Sequence, residues 1–117
     1  MNVEEFRLYC LQKPGVTESF PFDENTLVFK VMNKMFALTG LKGDDFRVNL
    51  KCNPEKAIEL RERFDYVLPG YHMSKAHWNT IVCAFATDQH LKEWTDDSYN
   101  LIVASLTKAL RKELEQL

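Results

Sequence analysis

Residues 46–51 alternate strictly between apolar and polar side chains, and no other part of the sequence limits the possible folds as strongly. The apolar side chains are Phe46, Val48 and Leu50, and the polar ones are Arg47, Asn49 and Lys51. Successive side chains of a strand point to opposite faces, so the segment predicts a strand with one buried and one solvated face. A sheet that is wet on one side is typical of antiparallel pairing, because parallel sheets are covered on both faces.

Four further segments have strand or extended character. They are residues 17–22, Thr26–Met32 and Lys34–Thr39 before the alternating segment, and Trp78–Phe85 after it. The two central segments form a hairpin around a turn at Asn33-Lys34. The alternation places Phe36 and Leu38 on one face of the second hairpin strand. Pro21 restricts the first segment to a sheet edge, because proline has no N–H to donate. The stretch Tyr66–Ala76 is predicted to be irregular.

Helix signals flank these strands. Each predicted helix begins at a residue whose side chain can cap it, namely Asn2, Asn53, Asp88 and Thr95. The predicted helices cover residues 3–13, 54–65 and 88–94, and a long amphipathic helix extends from residue 95 to the C-terminal end. The order is therefore helix, three strands, a fourth strand, helix, strand, then one or two helices. This order predicts a two-layer α+β domain over residues 1–117, with helices packed on one face of a mainly antiparallel sheet and the other face open to solvent.

Composition and charge narrow the class of protein. The 117 residues are 45% apolar and 27% charged, which is an ordinary balance for one globular domain. No apolar run approaches 18 residues and no signal core follows the first methionine, so we expect no membrane span and no secretion. Three widely spaced cysteines, Cys10, Cys52 and Cys83, predict reduced thiols in a cytoplasmic protein.

The charge is unevenly distributed along the chain. The net charge of −2 excludes a whole-protein field that attracts nucleic acid. Residues 26–87 nevertheless carry nine basic and six acidic side chains, whereas residues 1–25 carry two and five and residues 88–117 carry four and six. A positive middle therefore lies between acidic ends, and the alternative interpretation is an ordinary solvated surface.

Several stretches of the sequence resemble the MmcQ/YjbR family of small bacterial proteins. They are PGVTESFPF at residues 14–22, VFKV at 28–31, KMFAL at 34–38, VNLKCNPE at 48–55, PGYHMSKAHWNTI at 69–81 and, more weakly, SYNLIV at 98–103. The resemblance implies a YjbR-like α+β domain of the α-β3-α-β2-α type. It also implies a non-enzymatic role as a DNA-binding, double-wing domain.

Two groups of residues are candidates for contact with DNA. The first is a basic patch on the open sheet face formed by Lys30, Lys34, Arg47, Asn49 and Lys51, since lysine and arginine neutralise phosphates and asparagine can bond base edges. The second is an aromatic and basic stretch with no acidic residue, which contains Tyr71, His72, Lys75, His77 and Trp78. Each residue also has a structural alternative, most clearly Trp78, whose large ring is suited to burial.

Other chemistry has weaker signals in the sequence. His72 and His77 are five residues apart, with no third ligand nearby in the sequence, so we predict no metal site. No nucleophile and base occur at a recognised spacing, so we predict neither an enzyme nor a cofactor. The expected partner is DNA and the expected state is a monomer. The alternative is a protein- or peptide-interaction module with a secretion-chaperone-like fold, in which the sheet receives a partner segment.

Overall fold

The computed structural model describes residues 1–117 as four helices and six strands. The N-terminal half contains α1 (Val3–Leu11), β1 (Val16–Ser19), β2 (Thr26–Val31), β3 (Lys34–Gly40) and β4 (Arg47–Lys51). The C-terminal half contains α2 (Pro54–Arg63), β5 (Val67–Pro69), β6 (Trp78–Val82), α3 (Asp88–Ser105) and α4 (Lys108–Glu115). All strand pairs are antiparallel, in the order β1-β2-β3-β4-β6-β5. The predicted α+β fold with a mainly antiparallel sheet is confirmed.

The main hydrophobic core lies between the helices and one face of the sheet. Phe6 of α1 packs edge-on against Phe29 of β2, with ring centroids 5.8 Å apart. Phe36 of β3 packs in the same way against Tyr99 of α3 at 5.4 Å. Helix α3 lies against β2, β3 and β4, and α2 lies against β5 and β6. The helices therefore cover one face only, as the alternation predicted.

A β-bulge in β3 changes which side chains reach each face. Phe29 pairs with Ala37, but Lys30 pairs with Met35, so Phe36 is an additional residue on β3. Phe36 and Ala37 consequently both reach the main core, and Leu38 points to the opposite face. The prediction that Phe36 and Leu38 share a face is therefore wrong, because simple alternation does not anticipate the bulge.

Several element boundaries differ from the prediction. The first strand ends at Ser19, before the aromatic residues at 20–22, and the stretch predicted to be irregular contains β5. The hairpin turn is at Met32-Asn33, where both residues have positive φ. Four strands precede α2, instead of the three that the resemblance implied.

The C-terminal helical region is divided at a different place from the predicted one. A continuous α3 begins after its cap at Thr87 and crosses the predicted break at residues 94–95. It ends before Leu106, and Thr107 caps α4 by accepting a bond from the Leu110 N–H. Thr95 lies within α3, where its hydroxyl donates to the Leu91 carbonyl at 2.6 Å, so it does not cap a helix. None of the helices combines the length and apolar character that a membrane crossing requires.

Candidate functional site

The sheet face opposite the helices, here called the open face, has an apolar centre. Val28, Leu38 and Trp78 form a second buried cluster there, with Met35 and Met73 packed against it. None of these five residues belongs to a helix. Beside this cluster lies an open depression of about 740 Å³, whose lining includes Phe22, Leu38, Arg47, Leu68, Tyr71 and His72. Strands and loops alone form this depression, without any helical residue.

A polar network crosses the floor of the depression. Thr80 of β6 donates its hydroxyl to Asn49 Oδ1 of β4 at 2.6 Å and accepts a bond from the Tyr71 backbone N–H at 3.0 Å. Asn49 Nδ2 in turn donates to the Tyr71 carbonyl at 3.3 Å. Asn49 is predicted to contact DNA, but the two polar atoms of its side-chain amide bond to Tyr71 and Thr80 within the protein.

The segment between β5 and β6, here called the 70–77 loop, is fixed against the sheet. The Gly70 N–H donates to the Trp78 carbonyl at 2.9 Å, and a Cβ on Gly70 would lie only 2.7 Å from Trp78 Cβ. Glycine is therefore required at this close approach. Lys75 Nζ donates to the Gly70 carbonyl at 3.2 Å, and an Arg61 guanidinium N–H donates to the Lys75 carbonyl at 2.8 Å. These bonds hold the loop as a defined wall of the depression.

The predicted cations do not form one patch. Lys30 pairs with Met35, and Lys51 pairs with Trp78, so both side chains emerge on the open face. Lys34 pairs with Val31, which belongs to the main core, so Lys34 emerges on the helix side at the end of the hairpin.

Among the predicted residues, Arg47, Asn49, Tyr71 and His72 line the depression, whereas Lys30, Lys34, Lys51, Lys75, His77 and Trp78 do not. Arg47 is ion-paired with Asp45 at 2.5 Å, so part of its charge is neutralised within the protein. Lys75 and His77 are exposed on the 70–77 loop.

The aromatic residues of the predicted aromatic and basic stretch differ in their exposure to solvent. Tyr71 is 69% exposed, and its ring lies 3.9 Å from that of His72, between centroids. His72 has a φ of 57°, a left-handed conformation that is uncommon for a non-glycine residue. Trp78 is only 7% exposed, so its ring packs within the protein and has little surface for stacking on a ligand. Tyr71 is therefore the accessible aromatic residue of the predicted group.

Phe22 was not among the predicted contact residues, yet it is 63% exposed and lines the depression. The prediction of an extended segment over residues 17–22 did not identify Phe22 as a loop residue, since β1 ends at Ser19. A signal was present in the sequence, since the turn residues Asp23-Glu24-Asn25 follow it directly. Asp23 Oδ1 accepts bonds from the backbone N–H groups of Asn25 and Thr26, which fixes this loop beside β2.

The three cysteines are free thiols that differ in accessibility. Burial raises the pKa of the Cys10 and Cys83 thiols to about 12. Cys52 is half-buried, and burial raises its pKa as well. His72 and His77 do not belong to any group of three or more potential metal ligands.

Thiol labelling is expected to distinguish these cysteines. In the folded protein a small disulfide reagent should modify Cys52 alone, because thiolate formation and access control the reaction. All three thiols should react after unfolding. Mass spectrometry of labelled peptides checks the assignment, and fast labelling of Cys10 in the folded state would contradict the burial described here.

The fold and surface define a class of small α+β domains in which helices cover one face of a six-stranded antiparallel sheet and a fixed loop borders a depression on the other. The family model YjbR matches residues 11–101. The chain belongs to the YjbR family.

Relatives and solved structures agree with this assignment. The uncharacterized protein YjbR of Escherichia coli (strain K12) is 34% identical over 118 residues, covering 100% of both chains. A crystal structure of the Deinococcus radiodurans protein DR2400, a DUF419 domain, has a TM-score of 0.90 at 40% identity, covering 97% of this chain and 88% of that one. A crystal structure from Pseudomonas syringae has a TM-score of 0.74 at 27% identity, covering 86% and 98%.

Proposed function

We propose that the open face, together with the 70–77 loop, binds DNA. The observation that carries the proposal is the exposed Tyr71–His72 ring pair, held at the edge of a depression that no helix covers. Aromatic surfaces beside cations are what single-stranded nucleic acid requires, because bases stack on the rings while the cations contact phosphates. Tyr71 is prepared for this role, since Thr80 and Asn49 fix its backbone.

Local charge supports the proposal despite the net charge of −2. Outside α2, residues 26–87 carry six basic side chains and three acidic ones. From Tyr66 to Thr87 there is no acidic residue. Lys30 and Lys51 take part in no ion pair of the structure and emerge on the open face. Phosphate contacts of this kind give binding that weakens steeply with salt.

Replacing Tyr71 by alanine is expected to weaken the binding of a labelled oligothymidine of about 15 nucleotides by roughly fivefold to tenfold, because one stacking surface is removed. Fluorescence anisotropy at about 50 mM salt measures the affinity, and a titration to about 200 mM should weaken it further. A duplex of the same length should bind less tightly, since its bases are already stacked.

Two control variants separate this surface from general effects. Phe85 is 73% exposed but does not line the depression, so Phe85→Ala should leave the affinity unchanged. Lys30→Glu should weaken binding, whereas Lys108→Glu, which makes the same charge change on α4, should not. The absence of any anisotropy change at tens of micromolar wild-type protein would overturn the proposal.

A peptide-binding role is the second candidate, and the apolar side chains that line part of the depression favour it. Leu38, Leu68 and Met73 are among these side chains, and Arg47, which also lines the depression, is already paired with Asp45. A peptide that buried these side chains would bind with little dependence on salt, in contrast to DNA. An affinity for apolar peptides that persists at high salt, without affinity for oligonucleotides, would support this second function.

A further inference from the structure

On the helix side of the sheet, a small pocket lies between α2 and α3. Its volume is about 280 Å³, near the lower limit for sites that take small organic molecules. The walls are mainly apolar, with Leu50, Leu60, Ile81, Trp94 and Leu101 among the lining residues. The pocket is on the opposite side of the sheet from the proposed DNA surface, so the two proposals can fail independently.

One polar side chain in the wall has an unmet hydrogen-bonding requirement. Asn79 of β6 lines the pocket and is only 2% exposed. Its Nδ2 donates to the Ala57 carbonyl of α2 at 3.2 Å, which fixes the orientation of the amide, because a carbonyl can only accept. Asn79 Oδ1 has no hydrogen-bond partner, and it is the only buried side-chain polar atom in the chain without one. Such an atom requires a donor, because an unpaired buried acceptor is costly.

We propose that this pocket binds a compact apolar molecule, of the size of phenol or indole, that donates one N–H or O–H to Asn79 Oδ1. The apolar walls exclude an ion from the buried end, because no opposite charge would compensate for its desolvation. The charged side chains that line the pocket on the helix side are Lys56 and Asp97, and neither takes part in an ion pair. A polar substituent on the molecule can therefore be accommodated beside Lys56, Asp97 and the neighbouring Asn53.

A matched pair of probes tests the hydrogen bond directly. Indole and indene have nearly the same shape, but only indole carries an N–H. Titration of the full chain, followed by NMR of backbone and asparagine side-chain amides, should show indole binding about tenfold more tightly, which corresponds to about 1.4 kcal/mol. The largest shifts should include the Asn79 side-chain amide and the backbone amides of Cys52 and Asp97. Equal affinities for indole and indene, or shifts confined to other regions, would overturn the proposal.

An Asn79→Leu variant provides the second test. Leucine has a similar size and removes the unpaired acceptor, so the fold should be retained and can be checked by thermal unfolding. Indole should lose its tenfold advantage in this variant, while indene should bind at least as well as before. Preserved discrimination between the two probes would show that the indole N–H does not donate to Asn79 Oδ1, and the proposal would be rejected.

Protection of Cys52 gives a readout that does not depend on Asn79. The Cys52 thiol is half-buried and the residue lines the pocket, so bound indole should slow its modification by a small thiol reagent. Indene at the same concentration should slow it less. Equal modification rates with and without saturating indole would place the bound molecule elsewhere and contradict the proposal.

Discussion

Replacing Trp78 by alanine is expected to lower the free energy of unfolding by about 3–5 kcal/mol. The ring is 7% exposed and forms the buried cluster of the open face with Val28 and Leu38. Met73 of the 70–77 loop packs on the same cluster, so the substitution also removes the support beneath the loop. Urea denaturation followed by circular dichroism measures the change, since Trp94 would complicate a fluorescence signal.

Two control variants test whether the loss of stability comes from the packing of the Trp78 ring. Trp78→Phe keeps an aromatic ring in the cluster and should cost clearly less than the alanine substitution. Phe85→Ala removes a ring that is 73% exposed and should change stability by no more than about 0.5 kcal/mol. If Trp78→Ala were as stable as the wild type but had lost DNA binding, Trp78 would be a stacking residue and the packing role described here would be wrong.

Local patterns in the sequence predicted most of the elements but not all of their boundaries. The alternation over residues 46–51 identified β4 and its buried face correctly, because Val48 and Leu50 lie in the main core while the polar residues between them do not. Strand β5 was missed because it has three residues, which is too short for a periodic signal. The break between α3 and α4 was misplaced because Thr95 and Thr107 both resemble caps, and only the three-dimensional packing decides which one ends a helix.

The sequence indicated the residue types of the candidate site better than it indicated the role of each side chain. Residue type and spacing predicted that cations and aromatics share one surface, and Arg47, Tyr71 and His72 are the predicted cationic and aromatic residues that line the depression. The sequence did not indicate that Asp45 pairs with Arg47, because a partner two residues away in a loop depends on the loop conformation. It did not indicate that Asn49 bonds to Tyr71 and Thr80 either, since those contacts join residues at least 22 positions apart. A role that depends on contacts between residues far apart in the sequence can be assigned only when the folded structure is known.

Ser98→Ala is expected to lower the free energy of unfolding by about 2–4 kcal/mol, although it removes only one oxygen atom. Ser98 is completely buried in α3, where it contacts the end of the β3–β4 ladder, just beyond its last residue pair, Ala37 and Leu50. Its hydroxyl donates to the Phe36 carbonyl at 2.5 Å and accepts a bond from the Lys51 N–H at 3.0 Å. Alanine would leave both backbone groups buried without these partners, and each costs about 1–3 kcal/mol.

The matched control for this prediction is Ser105→Ala in the same helix. Ser105 Oγ donates only to the Ile102 carbonyl, one turn earlier, and the residue is exposed, so its loss should change stability by no more than about 0.5 kcal/mol. Amide hydrogen exchange gives a site-specific readout, because the Lys51 amide should exchange faster in Ser98→Ala and at the wild-type rate in Ser105→Ala. Unchanged protection of Lys51 together with unchanged stability would show that these two backbone groups do not need Ser98. The expected result would instead make α3 the element that holds β3 and β4 together beyond the last pair of their ladder, because Ser98 joins the Phe36 carbonyl to the Lys51 N–H there.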